Sequence, residues 1–271
     1  MPPVCRAAKT PMAKRNCSDI VNGRNQADGS FSSALIFRSL LFYAWYLPSG
    51  LLMALFCAII GPLLPLVWRL SCVGYWQRSV IEWLRLTCRV RYSIEGMERI
   101  PAPPYVVISN HQSQWEAFCF QTLFHPLIMV VKRELLRVPV FGWGLAMLRP
   151  IAIQREEPRQ AVRKIFVAGA DRFRQGLSVL LFPEGTRMAP GSLGRYKRSS
   201  GELAAQNGVP LVPVVHNSGD CWPAHRFIKY PGVIRVVIGE PVLFDNQVQN
   251  RMSEIVKWTG MTLKKIREAN P

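Results

Sequence analysis

The stretch Tyr105-Val106-Val107-Ile108-Ser109-Asn110-His111-Gln112-Ser113-Gln114-Trp115-Glu116 passes from an apolar run through a polar turn into the opening of a helix. Residues 105–108 are short, apolar and rich in β-branched side chains, which reads as a buried strand. Similar runs recur at 127–131, 179–182, 211–215 and 233–238, and Val90, Tyr92 and Ile94 alternate with Arg91 and Ser93 as in a half-exposed strand. Helical stretches lie between them. Residues 159–174 place Val162, Ile165, Phe166, Gly169 and Phe173 on one face, and 252–267 form a basic amphipathic helix. Strands alternating with helices predict an α/β domain over residues 71–271, a central mixed sheet flanked by helices.

Ahead of this pattern the chain changes character. Residues 39–68 contain no charged side chain, and Arg38 and Arg69 stand at the borders. A helix of about 30 residues is about 45 Å long, more than the ~30 Å of a bilayer's hydrocarbon core. Pro48, Ser49 and Gly50 interrupt the run, and Gly61, Pro62 and Pro65 interrupt it again. One tilted spanning helix fits, and so does a bent pair of shorter helices embedded in one leaflet. A buried helix pair in a soluble protein is the third reading. Residues 34–70 are therefore expected to be the membrane-embedded segment, with Tyr43, Trp45, Tyr46 and Trp68 suited to interfacial positions. Residues 1–33 are polar and aperiodic and read as a disordered lead-in without the apolar core of a signal peptide.

The charge agrees with a lipid partner. Among 271 residues, 49% hydrophobic and 19% charged, 34 are Lys or Arg and 17 Asp or Glu, a net charge of +17. Such a surplus calls for a polyanionic partner, and its place beside a long apolar segment favours anionic membrane lipids over nucleic acid. The seven cysteines form no C-x-x-C pair and no zinc-spaced cluster, so reduced thiols and no metal site are expected.

Two turns carry candidate chemistry. His111 and Glu116 are five residues apart, so on one continuous helix their side chains would diverge by about 140°. If His111 sits in the turn and Glu116 in the first helical turn, they can meet. A carboxylate on one ring nitrogen then leaves the other as a base. Ser113 and Glu116 also satisfy a capping box, a purely structural use of the same carboxylate. The spacing leaves both uses open. The second turn, Phe182-Pro183-Glu184-Gly185-Thr186-Arg187, follows a buried strand. Gly185 permits close backbone approach, Thr186 offers a hydroxyl and Arg187 a planar fork for phosphate. A plain turn with a solvated arginine is the alternative. His125 and His225 read as surface or structural residues. His216 ends a strand, with a substrate role and a structural one both open.

Asn110-His111 with Glu116, and Glu184-Gly185-Thr186-Arg187, together resemble the signature blocks of the glycerolipid acyltransferase family, particularly its bacterial lysophosphatidic-acid branch. The resemblance runs from about Tyr92 to Val256, with Glu116 where the family usually has Asp. It implies transfer of an acyl chain from acyl-CoA or acyl-carrier protein to the sn-2 hydroxyl of lysophosphatidic acid, with no cofactor. It implies His111 as base, Glu116 as its orienting acid, and acceptor binding by Glu184, Gly185, Thr186, Arg187, Lys132 and Arg155. It further implies that strand 209–214 lines the acyl pocket, and that the protein sits on the bacterial inner membrane with its catalytic domain cytoplasmic. Lys197-Arg198-Ser199-Ser200-Gly201 departs from the family's lysine and glycine pair, leaving Lys197 without an assigned role. Another lysolipid as acceptor, or a catalytically silent membrane binder, are the alternatives.

Overall fold

A computed structural model describes residues 29–244 and 248–269. The seven strands are β1 (Val90–Glu95), β2 (Val106–Ser109), β3 (Leu127–Lys132), β4 (Ile151–Ile153), β5 (Ser178–Leu181), β6 (Leu211–His216) and β7 (Gly232–Ile238). They form one sheet in the order β1-β7-β6-β2-β5-β3-β4. All neighbours are parallel except β6 and β7, so the sheet is mixed as expected. The all-apolar runs became the central strands β2, β5 and β6, in which every residue is buried. Such runs belong where both faces of a sheet are covered.

The pleat divides β2 between two cores. Val107 faces one cluster with Trp115, Phe118 and Leu84, while Val106 and Ile108 face another with Ile165, Leu203 and Ile255. The first face is covered by α1 (Gly29–Ile59), α2 (Leu66–Cys88) and α3 (Trp115–Leu123). The second is covered mainly by α5 (Pro158–Arg174), α6 (Ser199–Asn207) and α8 (Val248–Glu268). Two shorter helices, α4 (Phe141–Met147) and α7 (Ser218–Cys221), complete the chain.

The apolar segment differs in detail from its sequence reading. α1 is already helical at Gly29, inside the stretch expected as a lead-in, whose residues 1–28 lie outside the described part. It also runs through Pro48 without a break. A proline removes one backbone donor, and here packing on α2 holds the helix through it. The Trp76 indole N–H donates to Ser49 Oγ at 3.1 Å, and a Cβ on Gly50 would crowd that indole at 3.2 Å. The only break falls at the second interruption, where Gly61–Leu63 form a 3-10 turn and Pro65 precedes α2. The result is a helical hairpin.

One side of α1 is seated on the domain from Ser39 to Cys57, with Phe42, Ser49 and Ala54 also buried. Its other side exposes Phe37, Leu40, Leu47, Leu51, Leu52 and Ile59. Ser33–Ile59 is apolar and long enough to cross a bilayer.

Candidate active site

Parallel order brings the carboxyl ends of β2, β5, β6, β3 and β4 to one edge of the sheet, where open α/β sheets gather ligands. His111 lies in the loop after β2, and Glu116 is the second residue of α3. They meet. His111 Nδ1 is 2.7 Å from Glu116 Oε1. The carboxylate's return bond to the Ser113 amide is present as well, although the helix N-cap is Gln114 and makes no side-chain cap bond. The two carboxylate oxygens share the work. Oε1 accepts from the His111 ring and from the Gln112 and Ser113 amides at 2.9 and 2.8 Å. Oε2 accepts the Ser113 hydroxyl at 2.5 Å and the Ser218 hydroxyl at 2.7 Å.

Glu116 is fully buried. Burial by itself raises a carboxyl pKa, but the adjacent His216 and His111 rings and the Ser113 hydroxyl outweigh it and hold Glu116 well below the usual carboxylate range. An ionised Glu116 can only accept, so His111 donates from Nδ1–H. Its Nε2 is then the lone-pair nitrogen. The ring stacks on Phe182 with centroids 4.0 Å apart and keeps 12% of its side-chain surface exposed, which fixes its plane while leaving access.

The second turn clamps the first. Glu184 Oε2 accepts the His111 backbone N–H at 2.8 Å, and its Oε1 accepts the Gly194 N–H at 2.8 Å. The Met188 N–H donates to the His111 carbonyl at 2.7 Å. Burial pushes the Glu184 pKa up in spite of these amide donors. Glu184 was expected among the acceptor-binding residues. Its carboxylate holds the histidine loop through these two amide bonds. Gly185 has φ +75, the left-handed region that favours glycine, and its N–H closes the turn on Phe182. Lys197 Nζ lies 3.5 Å from where a Cβ on Gly185 would sit, which places the unassigned lysine against this turn.

Thr186 and Arg187 are exposed, and among the described residues Arg187 has no hydrogen-bond or ion-pair partner. Arg155, after β4, is close enough to Arg187 to interact with it. Partial loss of hydration and then the Arg187 charge lower the Arg155 pKa. Lys132, at the end of β3, is less free. Its ammonium pairs with Glu156 at 3.2 Å and Glu134 at 3.7 Å.

His216 is structural. It is fully buried, its Nε2–H donates to the Asn110 carbonyl at 2.8 Å, and its Nδ1 accepts the Ser218 N–H at 3.2 Å. Burial lowers its pKa despite nearby Glu116. Asn110 returns two bonds to the His216 backbone. Ser218 is a site residue that the sequence did not reveal, being 102 positions from Glu116 and joined to it only through strand order. His125 and His225 are both exposed, in line with a surface or structural reading.

An apolar cavity of about 300 Å³ opens beside α3, lined by Gln114 and Phe118, by Tyr46 and Leu51 of α1, and by Phe141 and Leu145 of α4. None of residues 209–214, the strand expected at the acyl pocket, lines this cavity. β6 is buried at the sheet centre, and the helices on the first face form the cavity instead. Among the described residues no His, Cys, Asp and Glu cluster could hold a metal.

The profile of the acyltransferase family matches residues 91–217. The chain is 38% identical over 240 residues to a 1-acyl-sn-glycerol-3-phosphate acyltransferase of Pseudomonas aeruginosa, covering 87% of this chain and 93% of that one. It is 30% identical to the human alpha form of the enzyme, over 59% of this chain and 58% of the human one. Among solved structures, the 1-acyl-sn-glycerophosphate acyltransferase PlsC of Thermotoga maritima superposes with a TM-score of 0.70 at 22% identity, covering 85% of this chain and 95% of that one.

Proposed function

The chain belongs to the 1-acyl-sn-glycerol-3-phosphate acyltransferase family, and on that premise we propose that it acylates the sn-2 hydroxyl of lysophosphatidic acid at a membrane surface. The observation that carries this reading is the 2.7 Å contact between His111 and a buried, multiply bonded Glu116. The acceptor hydroxyl oxygen attacks the carbonyl carbon of an acyl thioester while His111 Nε2 takes its proton. The C–S bond then breaks, and the imidazolium returns the proton to the departing thiolate. Glu116 holds the ring in the required tautomer and steadies its transient charge, as an aspartate does in a serine-hydrolase triad. No enzyme nucleophile is needed, because the substrate supplies the hydroxyl.

Arg187, with Arg155 beside it, supplies the charge for the acceptor phosphate, and Thr186 a hydroxyl. Lys132 has two carboxylates to leave before it can add to them. The apolar cavity between α1, α3 and α4 suits an acyl chain, since it begins at Gln114, three residues after His111. Acyl-CoA and acyl-carrier protein both satisfy the chemistry as donors. With one side of α1 on the domain, its outer side meets lipid best when the hairpin lies within one leaflet. In a bacterial cell that is the inner membrane, with the catalytic domain cytoplasmic.

A transfer assay on purified protein, with lysophosphatidic acid against lysolipids lacking a terminal phosphomonoester, tests the acceptor. Turnover should favour the phosphomonoester, and Arg187→Ala should erase most of that preference. Equal use of both acceptors by the intact enzyme would contradict the assignment. Running the assay with both thioesters identifies the donor.

A further inference from the structure

Between β3 and α4 the chain makes a knuckle at residues 133–143 whose outward side chains take no part in the proton transfer. Gly142 N–H bonds to the Val138 carbonyl and Phe141 N–H to the Pro139 carbonyl, both at 2.7 Å. A Cβ on Gly142 would lie 2.4 Å from the Leu136 carbonyl oxygen, so the turn tolerates only glycine there. This tight backbone turns large apolar side chains outward. Leu135, Val138, Phe141 and Trp143 are between 40% and 56% exposed, and Arg133 and Arg137 are exposed among them. Apolar groups interleaved with arginines on a fixed surface suit the headgroup boundary of an anionic leaflet.

The knuckle also has a definite neighbour. Gly144 packs so closely on α1 that a Cβ there would lie 2.7 Å from the Ala54 carbonyl oxygen. Beside Ala54, Leu51, Leu52 and Phe56 are exposed, so the apolar outer side of α1 continues into the knuckle. Between the two lies the apolar cavity, with Leu51 on one lip and Pro139 and Phe141 on the other. We infer that the 133–143 knuckle is a second membrane-contacting element, which inserts Leu135, Val138, Phe141 and Trp143 into an anionic leaflet and forms, with α1, a lateral entrance for lipid chains. This rests on the membrane reading of α1 given above. It adds a surface outside the hairpin and a path that spares the acceptor's chain from crossing water.

The test uses the full chain with native thiols replaced and a bimane-labelled cysteine at position 143, 52 or 167. The vesicles are three parts phosphatidylethanolamine to one part phosphatidylglycerol, with brominated acyl chains. Val167 is an exposed apolar residue of α5 on the other face of the sheet and serves as the control. Quenching at 143 should exceed that at 167 by at least about twofold, and approach that at 52 on α1. Quenching at 52 but not at 143 overturns the knuckle alone. Quenching at neither overturns the membrane reading with it. Should the cysteine at 143 impair folding, a label replacing Leu135 gives the same comparison.

Discussion

Glu184 spends both carboxylate oxygens on backbone amides, and one of those amides belongs to His111, the proposed base. Glu184→Gln keeps the shape but presents an NH2 group to one of two N–H donors. Leaving a buried donor unpaired costs about 1–3 kcal/mol. The histidine loop should lose registry, with kcat falling by about tenfold or more while KM for the acceptor stays near its original value. Steady-state kinetics beside a denaturation midpoint check this. A raised KM with kcat intact would return Glu184 to phosphate binding. The His111 and Glu116 partnership was legible in the sequence because turn and helix start are local features. The task of Glu184 was not, since a motif fixes which residue is present but not which way its side chain points. Ser218 and His216 were hidden for another reason. Only the neighbouring of β6 and β2 brings them to Glu116 and Asn110.

At the scale of elements, α1 depends on small contact residues as much as on its apolar length. Gly144→Ala would force its methyl to within 2.7–2.8 Å of the Ala54 backbone and push α4 from α1. Overpacking of this kind costs about 1–3 kcal/mol. Thermal unfolding should show that loss, and limited proteolysis should cut more readily in the 60–65 connection. Gly74→Ala on α2 is the control, because a Cβ there meets nothing within 4 Å and alanine favours the helix. Unchanged stability in Gly144→Ala would mean that α4 does not brace the hairpin. The central strands and the helices 158–174 and 248–268 were readable from apolar runs and helical periodicity. The second arm of the hairpin was not. α2 carries arginines, Glu82 and buried Gln77 among its apolar residues, and that mixture obscures a helix whose fit comes from packing. The short edge strand β4 gave too few residues for any period to show.

Across the whole molecule, one buried cation joins the hairpin to the domain. Lys229 is fully buried, and its ammonium donates to Tyr43 Oη of α1 at 2.9 Å and to the Arg226 and Phe227 carbonyls at 2.8 Å. Its backbone N–H reaches Ser39 Oγ at 3.0 Å. Burial pushes the Lys229 pKa down to about 8. An unfolded lysine, with a pKa of about 10.4, binds more protons than the folded one between these values, so folded stability rises with pH across that window. Melting wild type and Lys229→Met side by side from pH 7 to pH 10 isolates this group. The difference should shift in favour of the wild type as pH rises, and a constant difference would show that the ammonium bears no burial penalty. The proposed mechanism requires His111 as the base in a protein held at the membrane by other residues. The most direct test is acyl transfer by purified His111→Ala, measured beside its sedimentation with anionic vesicles. Turnover should fall by about 10²–10⁴-fold with vesicle binding unchanged; near-normal transfer by that variant would rule out His111 as the base.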